Sequence, residues 1–190
     1  MNVGLFFGSF NPIHTGHLII ANWVLNETDI EKIWLVVSPQ NPFKSEQDLL
    51  SEVHRLTLVQ KAILGDERME ASDVEFELPR PSYTFRTLSL LKEKYPANTF
   101  FIILGSDSFQ DLAKWKNFES IVSNHKMVVF QRPGIDVKNE INAQIEILDA
   151  PLLEISSTNI RELIKNKKSI RYLVPDMVRE EIEAKLYYKK

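Results

Sequence analysis

Apolar residues along this chain fall into two rhythms. Short, nearly continuous apolar runs at residues 3–7, 33–37, 99–104 and 127–130 are each bounded by turn or polar residues, the pattern of strands buried on both faces. Between them lie stretches with helical spacing at 18–25, 52–64, 85–94 and 108–123, the last broken around 115–117. Weaker strand signals at 145–147 and 152–155 flank Pro151, and residues 157–165 and 176–187 read as closing helices. The alternation predicts an α/β fold: a doubly wound, mainly parallel sheet with helices on both faces and right-handed crossovers. At 190 residues the chain is expected to form one domain, with a C-terminal helical part over about 156–190. The irregular stretches 39–48, 73–82 and 132–139 are candidate lids.

In such a sheet, ligands bind beyond the carboxyl ends of the strands where the strand order reverses. The first apolar run ends in Gly8-Ser9-Phe10-Asn11-Pro12-Ile13-His14-Thr15-Gly16-His17, and the run ending at Leu104 leads into Gly105-Ser106-Asp107; both are placed at that switch point. Small residues at Gly8, Ser9 and Gly16 let a ligand approach the backbone, and His14 and His17 supply ring N–H donors that can face negative charge. That combination suits a nucleotide triphosphate. The loop lacks the spacing and lysine of a Walker loop, and it is not a dinucleotide GxGxxG. Two histidines three apart also fit a zinc site or two surface side chains, but no cysteine exists and no carboxylate stands in the loop.

Three further segments offer chemistry. Ser156-Ser157-Thr158-Asn159-Ile160-Arg161 opens a helix with several cap candidates, and Asn159 with Glu162 has capping-box spacing. Arg161 in or near that first turn opposes the helix dipole at a cost of a few tenths of a kcal/mol, which a bound anion would reverse; the alternative is a solvated arginine. Lys44, at the end of a loop stiffened by Pro39 and Pro42, can reach phosphates from the side of the second strand. In Pro81-Ser82-Tyr83-Thr84, Ser82 reads as a helix cap, with free N–H groups beyond it that suit a ligand carboxylate. Trp115, flanked by Lys114 and Lys116, sits in the helix break and either stacks on a ligand ring or fills the core.

Charge narrows the partners. A formal net charge of -3 argues against nucleic acid as a ligand. Without cysteine there is neither a disulfide framework nor a thiolate metal site. No stretch reaches the ~18 apolar residues of a membrane span, and the N-terminal run lacks the basic flank of a signal peptide. A cytoplasmic protein that does not engage membranes is expected, with homo-oligomerisation left open.

Read together, the segments resemble the nucleotidyltransferase superfamily that carries an early HxGH and a late SSTxIR motif, here His14-Thr15-Gly16-His17 and Ser156 through Arg161. Within it the chain is most similar to the bacterial nicotinate-nucleotide adenylyltransferases, through Gly8 to His17, the loop ending at Lys44, Pro81 to Thr87, Gly105 to Asp107, Trp115 and Arg132-Pro133-Gly134. The resemblance implies a Rossmann-like fold and transfer of AMP from ATP to nicotinate mononucleotide, with Mg2+ carried by ATP and no protein metal ligand. It implies that His14, His17, Lys44 and Arg161 are catalytic and hold the triphosphate. Gly8, Ser9, Phe10, Gly105, Asp107, Ser157 and Thr158 would complete ATP binding. Thr84, through its backbone, and Trp115 would hold the nicotinate ring, with Asp107 between the substrates and Arg132 at the mononucleotide phosphate. The family's aromatic a few residues before Trp115 is replaced here by Asp111 or Leu112. A related adenylyl- or cytidylyltransferase, such as one acting on phosphopantetheine, is the nearest alternative, followed by a non-enzymatic nucleotide-binding module.

Overall fold

The computed structural model describes residues 1–40, 49–151 and 154–189. Six parallel strands, β1 (Asn2–Gly8), β2 (Lys32–Val37), β3 (Met69–Ser72), β4 (Thr99–Gly105), β5 (Met127–Phe130) and β6 (Ile145–Leu148), form one sheet in the order β3-β2-β1-β4-β5-β6. The chain winds outward from β1 through β2 to β3, then returns to the other side of β1 for β4, β5 and β6. The order therefore reverses between β1 and β4, whose carboxyl ends carry Gly8 and Gly105.

The apolar runs are strands because both of their faces are covered. On one face Phe6, Leu35, Val37, Ile103 and Phe130 pack against α1 (Thr15–Glu27), α2 (Glu52–Ala62), α6 (Ser157–Lys165) and α7 (Asp176–Lys185). On the other, Val3, Leu5, Val36, Leu104 and Val129 meet α3 (Thr84–Lys94) and α5 (Phe118–Asn124). The C-terminal helices share the first core through Ile160, Ile164, Val178 and Ile182. Among the described residues no helix is long and apolar enough to cross a membrane.

The pattern reading missed β3, where Met69-Glu70-Ala71-Ser72 pairs with β2 from Ile33↔Met69 to Val36↔Ser72. An edge strand with a charged residue at its centre shows no continuous apolar run. The signal at 152–155 falls partly outside the described residues, and Glu154 and Ile155 are not strand. The broken helix over 108–123 resolves into α4 (Ser106–Gln110), which leaves β4 without an intervening loop, a 3-10 turn over Leu112–Lys114, and α5. The 73–82 stretch is not a plain loop: it begins with a 3-10 turn, Val74–Glu77, whose Glu75 is buried.

Candidate active site

A cleft of about 980 Å³ opens across the carboxyl ends of β1 and β4. Its floor is the loop after β1. Phe10 adopts a left-handed backbone, φ 44°, which costs an L-residue roughly 1–2 kcal/mol. The turn places its ring under Gly8, where a Cβ would come within 2.8 Å of Phe10 Cζ, so only glycine fits. The Phe10 ring meets His17 edge-on at 5.1 Å, and His17 stacks on His14 at 3.7 Å between ring centroids. At Gly16 a Cβ would lie 3.1 Å from His14 Nδ1, a tight contact to which the His14 ring would have to yield by a few tenths of an ångström.

This stack gives the two histidines different chemistry. The backbone N–H of His14 donates to His17 Nδ1 at 3.2 Å, so a neutral His17 carries its proton on Nε2 and is a donor there. His14 is only 5% exposed. Burial, aided by the Arg132 guanidinium, pushes its imidazole down from 6.5 to about 4, and the ring is neutral at pH 7.

The late motif closes on this loop. Ser156 caps α6 by accepting from the Asn159 N–H at 3.2 Å, so Asn159 is the third residue of the helix and the Asn159–Glu162 capping box does not form. Ser157 Oγ donates to Pro12 O at 2.8 Å, and Arg161 Nη1 donates to Asn11 O at 2.8 Å. Arg161 Nη2 also reaches Thr158 Oγ1 at 3.4 Å. These bonds set the first turn of α6 against the histidine loop, with the guanidinium and the helix N-terminus on one side of the cleft.

Arg55, on α2, is the member that the sequence reading overlooked. It is fully buried and donates to four carbonyls: Leu50 O at 2.7 Å, Ser9 O at 2.5 Å, Ser38 O at 2.8 Å and Pro39 O at 2.9 Å. The loop after β1 and the loop after β2 are thus bolted together from behind.

Across the cleft, Glu75 accepts from Ser82 Oγ at 2.7 Å and from Thr87 Oγ1 at 2.8 Å. Ser82 is therefore spent on Glu75 and does not cap α3; Tyr83 holds the cap position without a side-chain cap bond. The first intrahelical bonds run from Arg86 and Thr87 N–H to Tyr83 O, leaving the Thr84 and Phe85 amides outside the ladder. Asp107 and Arg132 face each other at 3.7 Å, and the Arg132 N–H donates to Ser106 Oγ at 2.9 Å.

Comparisons with known proteins identify the family. A cytidylyltransferase-like family model matches residues 5–163. A Cytophaga hutchinsonii protein named "Probable nicotinate-nucleotide adenylyltransferase" is 48% identical over 99% of this chain and 98% of its own length. A Flavobacterium psychrophilum protein of the same name is 47% identical over the whole of both chains. The chain belongs to the nicotinate-nucleotide adenylyltransferase family. In fold it is similar to Plasmodium falciparum nicotinic acid mononucleotide adenylyltransferase complexed with NaAD, with a TM-score of 0.83 at 22% identity, covering 98% of this chain and 97% of that one.

As a nicotinate-nucleotide adenylyltransferase, the chain gathers the residues singled out in its sequence around one cleft. Gly8, Ser9, Phe10, His14 and His17 form the floor; Ser157, Thr158 and Arg161 one side; Gly105, Asp107 and Arg132 the β4–β5 side; Thr84 and Trp115 the far wall. Lys44 lies outside the described residues. Trp115 packs on the core that includes Leu112 and also borders the cleft. In this nicotinate-nucleotide adenylyltransferase Leu112 is fully buried, so it is no pocket wall. Arg55 shares a helix face with Leu58 and Val59, and that spacing was the available signal for it.

Proposed function

We propose that this protein transfers AMP from ATP to nicotinate mononucleotide, giving nicotinate adenine dinucleotide and pyrophosphate in NAD synthesis. The observation that carries the reading is the Arg161–Asn11 hydrogen bond of 2.8 Å, which joins the HxGH loop and the SSTxIR helix at a cleft that also holds Thr84 and Trp115.

The nucleophile is already an anionic phosphate oxygen, so no serine, cysteine or strong base is required; placement and charge stabilisation suffice. One mononucleotide oxygen attacks the α-phosphorus of ATP in line, a new P–O bond forms, and the bond to the bridging oxygen breaks with its electrons leaving on pyrophosphate. Backbone amides from Gly8 to Phe10 and His17 Nε2–H face the reacting phosphate, while neutral His14 orients His17 and adds a donor. Arg161, Ser157 and Thr158 hold the departing phosphates together with Lys44. Thr84 offers its backbone N–H to the nicotinate carboxylate and Trp115 its ring to the pyridine. Arg132 meets the mononucleotide phosphate, with Asp107 between the substrates.

Among the described residues no group of three or more His, Asp or Glu side chains is placed to hold a metal ion. A hydrated magnesium ion would arrive on the triphosphate, with Asp107 as a carboxylate that borders the cleft. Such an ion would neutralise charge on the phosphate oxygens. Cytoplasmic residence follows from the small soluble substrates of this reading.

Pyrophosphate release across a panel of phosphate acceptors tests it. Magnesium-dependent release is expected with ATP plus nicotinate mononucleotide; equal or better turnover of phosphopantetheine would overturn the choice of acceptor, and no release with any acceptor would leave a binding module.

A further inference from the structure

The far wall of the cleft carries positive charge that the reaction scheme above does not use. Lys116 Nζ sits 4.9 Å from the centroid of the Tyr83 ring, and the Arg86 guanidinium lies 5.9 Å from the same ring. Tyr83 is the residue that opens α3, directly before the unladdered Thr84 and Phe85 amides. Lys114, two residues earlier, is neutralised by Asp111 at 2.5 Å. Among the described residues Lys116 and Arg86 have no acidic partner. Lys116, Tyr83, Thr84 and Trp115 all border the cleft.

The Thr84 and Phe85 amides offer hydrogen bonds and no net charge. Two N–H groups can pair with both oxygens of a carboxylate and with only the one carbonyl oxygen of a carboxamide, so they read hydrogen-bond pattern and not charge. The buried carboxyl group of Glu75, behind Ser82 and Thr87, also borders the cleft and disfavours a second carboxylate. A cation in front of a ring carboxylate adds an attraction that a neutral carboxamide does not receive. Lys116 supplies one on a long stem held by the face of an aromatic ring.

We propose that the Lys116 ammonium, seated on Tyr83 at the start of α3, is a specificity-determining group that selects a pyridine carboxylate over a pyridine carboxamide. This rests on the reading of nicotinate mononucleotide as acceptor. Specificity is a difference of two affinities, and a charge acts on one acceptor and not the other.

The test compares kcat/KM for nicotinate mononucleotide and nicotinamide mononucleotide in the wild type, Lys116→Met and Lys116→Arg; if the amide is turned over too slowly, its inhibition constant against nicotinate mononucleotide replaces kcat/KM. Lys116 is exposed, and its loss leaves the core untouched. Lys116→Met is expected to lower kcat/KM for the carboxylate about tenfold, chiefly through KM, as befits a charge-assisted contact near solvent. The value for the amide should change by less than about twofold, and Lys116→Arg should restore most of the preference. Equal losses on both acceptors, or an unchanged ratio, would overturn the proposal while leaving the reaction standing. A wild type that uses neither acceptor would overturn both.

Discussion

The buried, neutral His14 makes folding sensitive to acid, and the effect can be worked out from the structure. In the unfolded chain the imidazole titrates near 6.5, and in the fold near 4. Above pH 6.5 neither state holds the proton, so stability is at its full value. As pH falls between the two values the unfolded state takes up a proton that the native state refuses, and stability is lost until pH passes below 4. From pH 7.5 to pH 4.5 the loss assignable to this one group is about 2.5 kcal/mol. His125, also lowered by burial, contributes in the same direction, so the measurement has to be differential. Urea unfolding of the wild type and of His14→Asn at both pH values isolates the term. The variant removes the titrating ring and keeps a polar side chain. The stability difference between the two proteins should shift by about 2.5 kcal/mol in favour of the variant as pH drops. A shift below about 0.5 kcal/mol would refute the assignment of His14 as a buried neutral ring, as would an imidazole titration near 6.5 by NMR.

Three more outcomes follow from the site. His17→Ala should fold normally and lose about a hundred- to a thousandfold in turnover, because a single donor at the reacting phosphate disappears; near-full turnover would sink the role. Arg55→Met should leave the carbonyls of Ser9, Ser38, Pro39 and Leu50 without their buried donor and cost about 3–5 kcal/mol in a denaturant melt, whereas a loss under about 1 kcal/mol would mean that water replaces it. Gly105→Ala would put a Cβ 2.5 Å from Asp107 Oδ1 and 3.1 Å from Arg132 Nε; displacement of that pair should lower turnover by about tenfold or more with an unchanged melting curve, and wild-type kinetics would contradict the placement of Asp107 between the substrates.

The strands of the central sheet were legible because burial on both faces leaves uninterrupted apolar runs, as in Val3 to Phe7. β3 was not, because an edge strand is covered less completely and its Glu70 interrupts the run. The HxGH and SSTxIR segments could be read from their small residues, donors and order, and the cleft indeed brings them together. Arg55, Glu75 and Lys116 resisted for different reasons. A buried arginine whose partners are all backbone carbonyls leaves no complementary acid in the sequence, and its alignment with Leu58 and Val59 is outweighed by the general preference of arginine for the surface. Glu75 takes its partners from Ser82 and Thr87, and Ser82 offered the simpler reading of a helix cap. Lys116 entered the sequence reading only as a flank of Trp115, and its place on the Tyr83 ring is a tertiary contact that no local pattern signals.

The bond between Asn11 and Arg161 spans a separation of 150 residues, and that has a bearing on how the protein becomes active as it is made. A growing chain can pair β1 with β2 while α6 is still unsynthesised. It then carries both histidines and lacks Arg161, the guanidinium we propose for the phosphate grip. Competence arrives only after the last strand, when α6 docks its first turn on Pro12 and Asn11. On the proposed mechanism a chain that stops before Arg161 is thus silent.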